Sequence, residues 1–256
     1  MTQSMQVLLT GKRFIVTGAS ADSDIGLAIC TLLASAGAEL ILVGRRAEQL
    51  EQTRQQLTGN GHRIAPFDLT QLNEIDDWLT QLLPAEQWVD GLIHSASFQG
   101  YTPLRTLKPA QINRYFDINF SAALLLIAAL SKKYFTKSGA AIVLIGSAAG
   151  QRGLKGRVLY AASKAALSSM TKSCALELAD KQIRINCVAP ALVSGQKAQK
   201  QFSMLGEQQS AALVAAHPLG ISSPQDVAQA TLFLLSPASR SITGTTLAVD
   251  GGFLAG

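Results

Sequence analysis

Short apolar runs and helix-patterned stretches take turns along almost the whole of this chain. Segments 13–17, 39–43, 63–67, 91–95, 140–145, 184–188 and 246–249 read as strands. Between them, 25–36, 47–57, 72–83, 110–135, 160–178 and 225–235 space their apolar residues as helices do. Strands that are apolar throughout and flanked by helices must be covered on both faces. Regular alternation of the two predicts an α/β fold with a doubly wound parallel sheet. No linker, repeat or low-complexity tract divides residues 1–256, so a single domain is expected. The one long irregular stretch, 193–223, holds room for a short helix or two and reads as a substrate lid.

Composition supports a packed enzyme-sized domain. Of the 256 residues, 48% are apolar and 15% charged, which excludes a disordered chain. The net charge of +5 either favours acidic or phosphorylated ligands or only solvates the surface. Nothing marks a nucleic-acid partner, neither a basic tract nor an aromatic platform. Cys30, Cys174 and Cys187 are odd in number and widely spaced, as buried thiols in a reducing compartment would be. His62, His94 and His217 are scattered and suggest no metal site. The first ten residues lack a cleavable apolar core, and the longest apolar run, Ala122–Leu130, is far short of the ~20 residues a bilayer needs. A cytoplasmic protein with no membrane association is expected.

The first strand runs into Thr17-Gly18-Ala19-Ser20, and a helix follows near Ile25-Gly26. A turn of this kind holds a dinucleotide pyrophosphate against the free amides and positive end of the helix. Gly18, Ser20, Asp24 and Ile25 are the candidate contacts. Asp22 and Asp24 would repel a pyrophosphate, so they are expected to point outward, or the helix to be capped by Ser23 or Asp24. The second strand ends in Gly44-Arg45-Arg46, where an acidic residue would hold the ribose hydroxyls of NAD. Arginines there can grip a 2′-phosphate, which favours NADP(H) over NAD(H). A solvated helix start is the bland alternative.

Tyr160 and Lys164 lie four apart on one helix face, Ser147 follows a strand end, and Asn119 lies in the long helix pattern before it. Alone, each is an ordinary surface or turn residue. Together they form a proton-transfer set. A phenol with pKa of about 10 is a poor base until a nearby cation stabilises its ionised form. Lys164, with a nicotinamide ring, is expected to supply that stabilisation and to hold the ribose. Ser147 would bind the substrate oxygen, Tyr160 would exchange the proton, and Asn119 would position a water that feeds Lys164.

With these motifs in their order, the chain resembles the short-chain dehydrogenase/reductase family over nearly its full length. The resemblance rests on Thr17-Gly18-Ala19-Ser20 with Ile25-Gly26, Asp68-Leu69-Thr70, Asn119, Ser147, Tyr160-Ala-Ala-Ser-Lys164 and Asn186-Cys-Val-Ala-Pro190. It extends through 223–227 and 242–252. It implies a Rossmann-type sheet of about seven strands and a homotetramer or homodimer. Asp68 and Leu69 would meet the adenine, and Pro190 and Val193 the nicotinamide. Ser95, Ala96, Tyr160 and Lys164 would also line the cofactor site. The nearest group is the 3-oxoacyl-carrier-protein reductases, which act on ketones with NADPH.

The chain departs from that group in places. Its glycine turn is longer and resembles that of bacterial enoyl-carrier-protein reductases. His94-Ser95-Ala96-Ser97 replaces the usual Asn-Asn-Ala-Gly, Ala191 replaces a Gly, and Gly195 stands where a Thr is common. The Tyr–Lys spacing stays with the carbonyl reductases. A ketone or 3-oxoacyl reductase is therefore the leading expectation, with an enoyl thioester reductase and a non-catalytic NADP-binding regulator as alternatives. Arg152, Lys155 and Arg157 at the rim would attract a carrier-protein-bound or other anionic substrate, unless they are merely solvated. Phe202, Met204 and Leu205 would face an apolar substrate or a second subunit.

Overall fold

The computed structural model describes residues 9–84, 87–132 and 136–256. The chain runs β1 (Arg13–Thr17), α1 (Asp24–Ser35), β2 (Glu39–Gly44), α2 (Ala47–Gln56), β3 (Arg63–Pro66), α3 (Ile75–Leu82), β4 (Val89–His94) and α4 (Pro109–Phe116). It continues through α5 (Ala122–Leu130), β5 (Thr136–Ile145), α6 (Val158–Leu178), β6 (Arg184–Pro190), α7 (Gln196–Ser203), α8 (Glu207–Ala215), α9 (Pro224–Leu235) and β7 (Thr246–Val249). The strands pair in parallel as one sheet of order β3-β2-β1-β4-β5-β6-β7. This is the doubly wound Rossmann-type sheet that the alternation requires.

Strand side chains alternate between two cores. Ile15, Ile41, Leu92, Ile142 and Ile185 face α3, α5 and α6 through Leu79, Leu126 and Leu167. Phe14, Val16, Leu40, Leu42 and Val143 face α1 and α9 through Ile29, Leu33 and Leu232. Strand order reverses between β1 and β4, so their carboxyl ends open a crevice, where a doubly wound sheet binds its ligand.

Two expectations need correction. The helix pattern 110–135 is not one helix: a π-turn over Asp117–Ser121 separates α4 from α5, and residues 133–135 lie outside the described residues. Residues 1–8 of the amino-terminal stretch also lie outside them. Cys30 and Cys187 are buried, but Cys174 is only half-buried. Among the described residues, no helix is long and apolar enough to cross a membrane.

Stretch 193–223 is an excursion pinned at its base. Val193 pairs with Ser222, and Ser194 N donates to Ser222 O at 2.8 Å. Its helices α7 and α8 sit lightly on the body: Ala198 is the one buried residue in α7, and α8 has none. Phe202 and Leu205 are half-buried, whereas Met204 is 82% exposed.

Candidate active site

The crevice floor is built by β1 and β4. Thr17, at the end of β1 and fully buried, bonds the His94 ring through Oγ1 and Nδ1 at 3.1 Å and accepts Ala96 N at 3.2 Å. Ser95 N donates to Thr17 O. His94 is sealed from water, and burial pulls its pKa down to about 3, with the Lys164 charge adding to the effect. It is therefore neutral.

The glycine turn presses on this floor. Gly18 has φ +68°, and a Cβ there would stand 2.7 Å from Ala96 N. At Gly26 a Cβ would lie 2.0 Å from Gly18 O, so helix α1 can start this close only without one. Ser23 caps α1 and accepts Gly26 N at 3.3 Å, as expected for one of the two candidate caps. No backbone hydrogen bond engages the Asp24 and Ile25 amides among the described residues. The two carboxylates do not both point outward. Asp22 is exposed and takes Arg46 Nη2 on both oxygens, at 2.7 and 2.6 Å. Asp24 instead reaches across to the base of stretch 193–223: a Cβ on Gly195 would meet its carboxylate at 2.5–2.7 Å.

The end of the crevice beside β2 and β3 is mixed. Ser20 Oγ lies near Gly44 at the end of β2, and Arg45 is exposed with no ion pair among the described residues. Arg46 is already engaged by Asp22. Asp68 accepts both the amide and the hydroxyl of Thr70. The Leu69 side chain is packed into the core at 6% exposure, which leaves its main chain for a contact in the crevice.

At the other end, α6 brings Tyr160 and Lys164 onto one face, one turn apart. Lys164 is 1% exposed, and its Nζ donates to Ile145 O at 2.8 Å and lies 5.8 Å from the Tyr160 ring centroid. Burial brings its pKa down to about 8. Ser147 caps the short turn after β5, its Oγ accepting Ala149 N. Pro190 closes β6 and is buried, and Val193 follows it half-buried.

Opposing effects act on the Tyr160 phenol. Burial pushes its pKa up. Hydrogen bonding by Ser147, the Arg157 charge and hydrogen bonding by Ser97 pull it back, in that order. Lys164 is not among the groups that lower it.

Asn119 is anchored by its side chain. It is completely buried in the π-turn, and protein partners take its whole side chain. Its Oδ1 accepts Phe98 N at 2.7 Å and Ser97 Oγ at 3.2 Å, and its Nδ2 donates to Phe98 O and Ser163 Oγ, both at 2.9 Å. The side chain clamps the loop after β4. Ser163, which the motif reading left without a task, links this clamp to Tyr160 O at 2.9 Å. Its place one residue before Lys164 was the available signal. At the rim, Arg152 donates to Phe253 O and Arg157 to Gly100 O at 3.0 Å. Of the three rim cations, only Lys155 is exposed without a partner among the described residues.

Comparison with known proteins agrees with this geometry. A family model described as enoyl-(acyl carrier protein) reductase matches residues 18–254. The chain is 36% identical to a 3-oxoacyl-acyl-carrier-protein reductase of Rickettsia prowazekii, over 96% of this chain and 98% of that one. It is 31% identical to L-xylulose reductase of Mus musculus, over 98% and 100% of the two chains. The chain belongs to the short-chain dehydrogenase/reductase family. A solved family structure from Brucella melitensis, of glucose/ribitol dehydrogenase type, superposes with a TM-score of 0.86 at 28% identity, covering 97% of this chain and 99% of that one. As a short-chain dehydrogenase/reductase the protein is an oxidoreductase that acts on carbonyl groups.

Proposed function

We propose that this short-chain reductase transfers hydride from NADPH to a ketone or 3-oxoacyl carbonyl and runs the reverse alcohol oxidation at higher pH. The observation that carries the reading is the convergence of Ser147, Tyr160 and Lys164 at one end of the crevice. A phenol whose pKa is raised stays protonated near neutrality, which is the state a ketone reductase needs in its proton donor. Ser147 holds the substrate oxygen, Tyr160 gives it a proton, and Lys164 holds the nicotinamide ribose and keeps the crevice positive. Asn119 acts by clamping the loop after β4. The nicotinamide supplies the hydride.

The glycine turn fits a pyrophosphate: Gly18 and Gly26 leave no room for a Cβ, and the amides of Asp24 and Ile25, without a backbone partner among the described residues, serve as its donors. In this reading Ser20 and Arg45 serve the adenosine phosphate end, with Arg46 shared with Asp22. The main chains of Asp68 and Leu69 serve the adenine. Ser95, Ala96, Pro190 and Val193 line the nicotinamide side. Stretch 193–223 is the lid. Lys155 draws in an anionic carrier arm, as the Rickettsia relative's name suggests for its own substrate. Exposed apolar residues form two separate faces, Ile112, Leu124 and Leu125 on α4–α5 and Phe233 and Leu247 on α9–β7, which suits a homotetramer in the cytoplasm.

Tyr160→Phe tests the reading. Ketone reduction should fall by about 10²–10⁴-fold with the fold retained by circular dichroism. Full hydride transfer in this variant would remove the acid–base assignment. The family model's description and the long glycine turn favour a second reading, enoyl thioester reduction. Turnover of a crotonyl thioester at or above the rate of the acetoacetyl thioester would select it.

A further inference from the structure

Stretch 193–223 has little of its own to hold it, since α7 buries one residue and α8 none. Just after α8, however, His217 is 3% exposed and both of its ring nitrogens are engaged. Leu192 N donates to Nε2 at 3.4 Å, and Nδ1 donates to Leu213 O at 2.8 Å. The direction of both bonds is fixed, because an amide N–H only donates and a carbonyl only accepts. The imidazole thus ties α8 to the segment that follows β6.

The same ring stacks on Phe253, with centroids 4.9 Å apart and planes 24° from parallel. Phe253 is 7% exposed and lies in the segment after β7. Backbone bonds fix that segment: Leu219 N donates to Gly251 O at 2.9 Å, and the Asp250 carboxylate accepts Gly252 N and Leu254 N at 3.0 and 2.9 Å. Phe253 also seats Arg152, whose guanidinium carbon is 4.5 Å from the ring centroid and whose Nη1 donates to Phe253 O. Arg152 belongs to the turn that Ser147 caps: its N donates to Ala148 O at 3.0 Å, and Ser147 Oγ accepts Ala149 N at 3.1 Å. Three side chains, Arg152, Phe253 and His217, therefore connect the Ser147 turn to the end of α8.

We propose that Phe253 is a positioning residue for the carbonyl substrate: an aromatic wedge between His217 and Arg152 that holds stretch 193–223 in register with the Ser147 turn. The proposal rests on the reading of that stretch as the lid. Ring stacking and a cation over a ring are modest interactions, but a lid with so few buried residues leans on them. If the lid is placed in a smaller fraction of molecules, apparent substrate affinity falls by that fraction. Tyr160 and Lys164 are held by α6 instead, so the chemical step is spared.

The test separates binding from chemistry. Phe253→Leu and Phe253→Met keep an apolar side chain of comparable size without its flat faces. Phe253→Tyr keeps the faces, and a cavity of about 310 Å³ beside Phe253 and Arg152 gives room for the hydroxyl. For the acetoacetyl thioester of N-acetylcysteamine, KM should rise about tenfold in the Leu and Met variants, with kcat within about twofold of the parent. Phe253→Tyr should stay near the parent. A second readout needs no turnover: native trypsin cleavage after the exposed Lys197 and Lys200 of α7 should quicken by about tenfold in the Leu and Met variants. Either folded variant decides. Parent-like KM and cleavage overturn the role of Phe253 and leave the lid reading standing. Faster cleavage with an unmoved KM overturns the lid reading and this proposal together. A kcat that falls as far as KM rises, or a Tyr variant that behaves like Leu, also overturns the proposal.

Discussion

Asn119 and Arg46 are both polar side chains of one crevice, yet they are used in opposite ways. Asn119 is completely buried, with every donor and acceptor of its amide engaged. Arg46 lies on the surface, its guanidinium paired with Asp22. Breaking a buried hydrogen bond strands its partner at a cost of about 1–3 kcal/mol, whereas an exposed ion pair is worth about 0–1 kcal/mol. The proton-transfer end is therefore rigid and strained by burial. The phosphate end is soft and adjustable by single charges.

Four substitutions would sharpen or break this contrast. The largest effect is expected at Lys164. Its pKa, about 8 in the fold, lies below the ordinary 10.5, so burial penalises the charged form fully below about pH 8, and the penalty lifts between pH 8 and 10.5. Lys164→Met should abolish turnover yet gain about 2 kcal/mol of stability near neutral pH, after allowing for the lost bond to Ile145 O. Urea unfolding across that range should lose its alkaline rise. A destabilised variant would mean that the ammonium is at ease where it sits.

His94 should give the next largest effect, on the acid side. Its folded pKa is also depressed, from 6.5 to about 3, so the stability its neutral form carries is complete above pH 6.5 and drains away as the pH falls toward 3. His94→Asn should flatten this acid limb by about 1 kcal/mol at pH 5.5, as read from the slope of unfolding free energy against pH. An unchanged slope would show that the imidazole accepts a proton inside the fold.

The smallest effect is expected at the soft end. Asp22→Asn should free Arg46 and raise the preference for NADPH over NADH several-fold, by fluorescence titration, with stability altered by less than about 1 kcal/mol. Arg45→Ala should lower the same preference. Equal changes for both cofactors would remove the 2′-phosphate assignment.

Much of this was legible in the chain. Strand–helix alternation fixed the sheet, and the spacing of Ser147, Tyr160 and Lys164 survived intact because each sits at the end or on one face of a regular element. What was not legible depended on residues far apart in sequence. The apolar pattern 110–135 reads as unbroken helix, and nothing in it marks the π-turn that aims Asn119 at Phe98 and Ser97. The reach of Asp24 to Gly195 spans most of the chain.

The contact of Gly18 with Ala96 has a consequence for how such a chain can change. With backbone against backbone on that side, extra residues in the turn have only the α2 side to occupy, where Ala21 N already bonds Gln49 O. That is the detour which delivers Asp22 to Arg46. Loop length and the Asp22–Arg46 pair are thus one trait: a deletion that trims the loop takes the partner from Arg46 at a stroke.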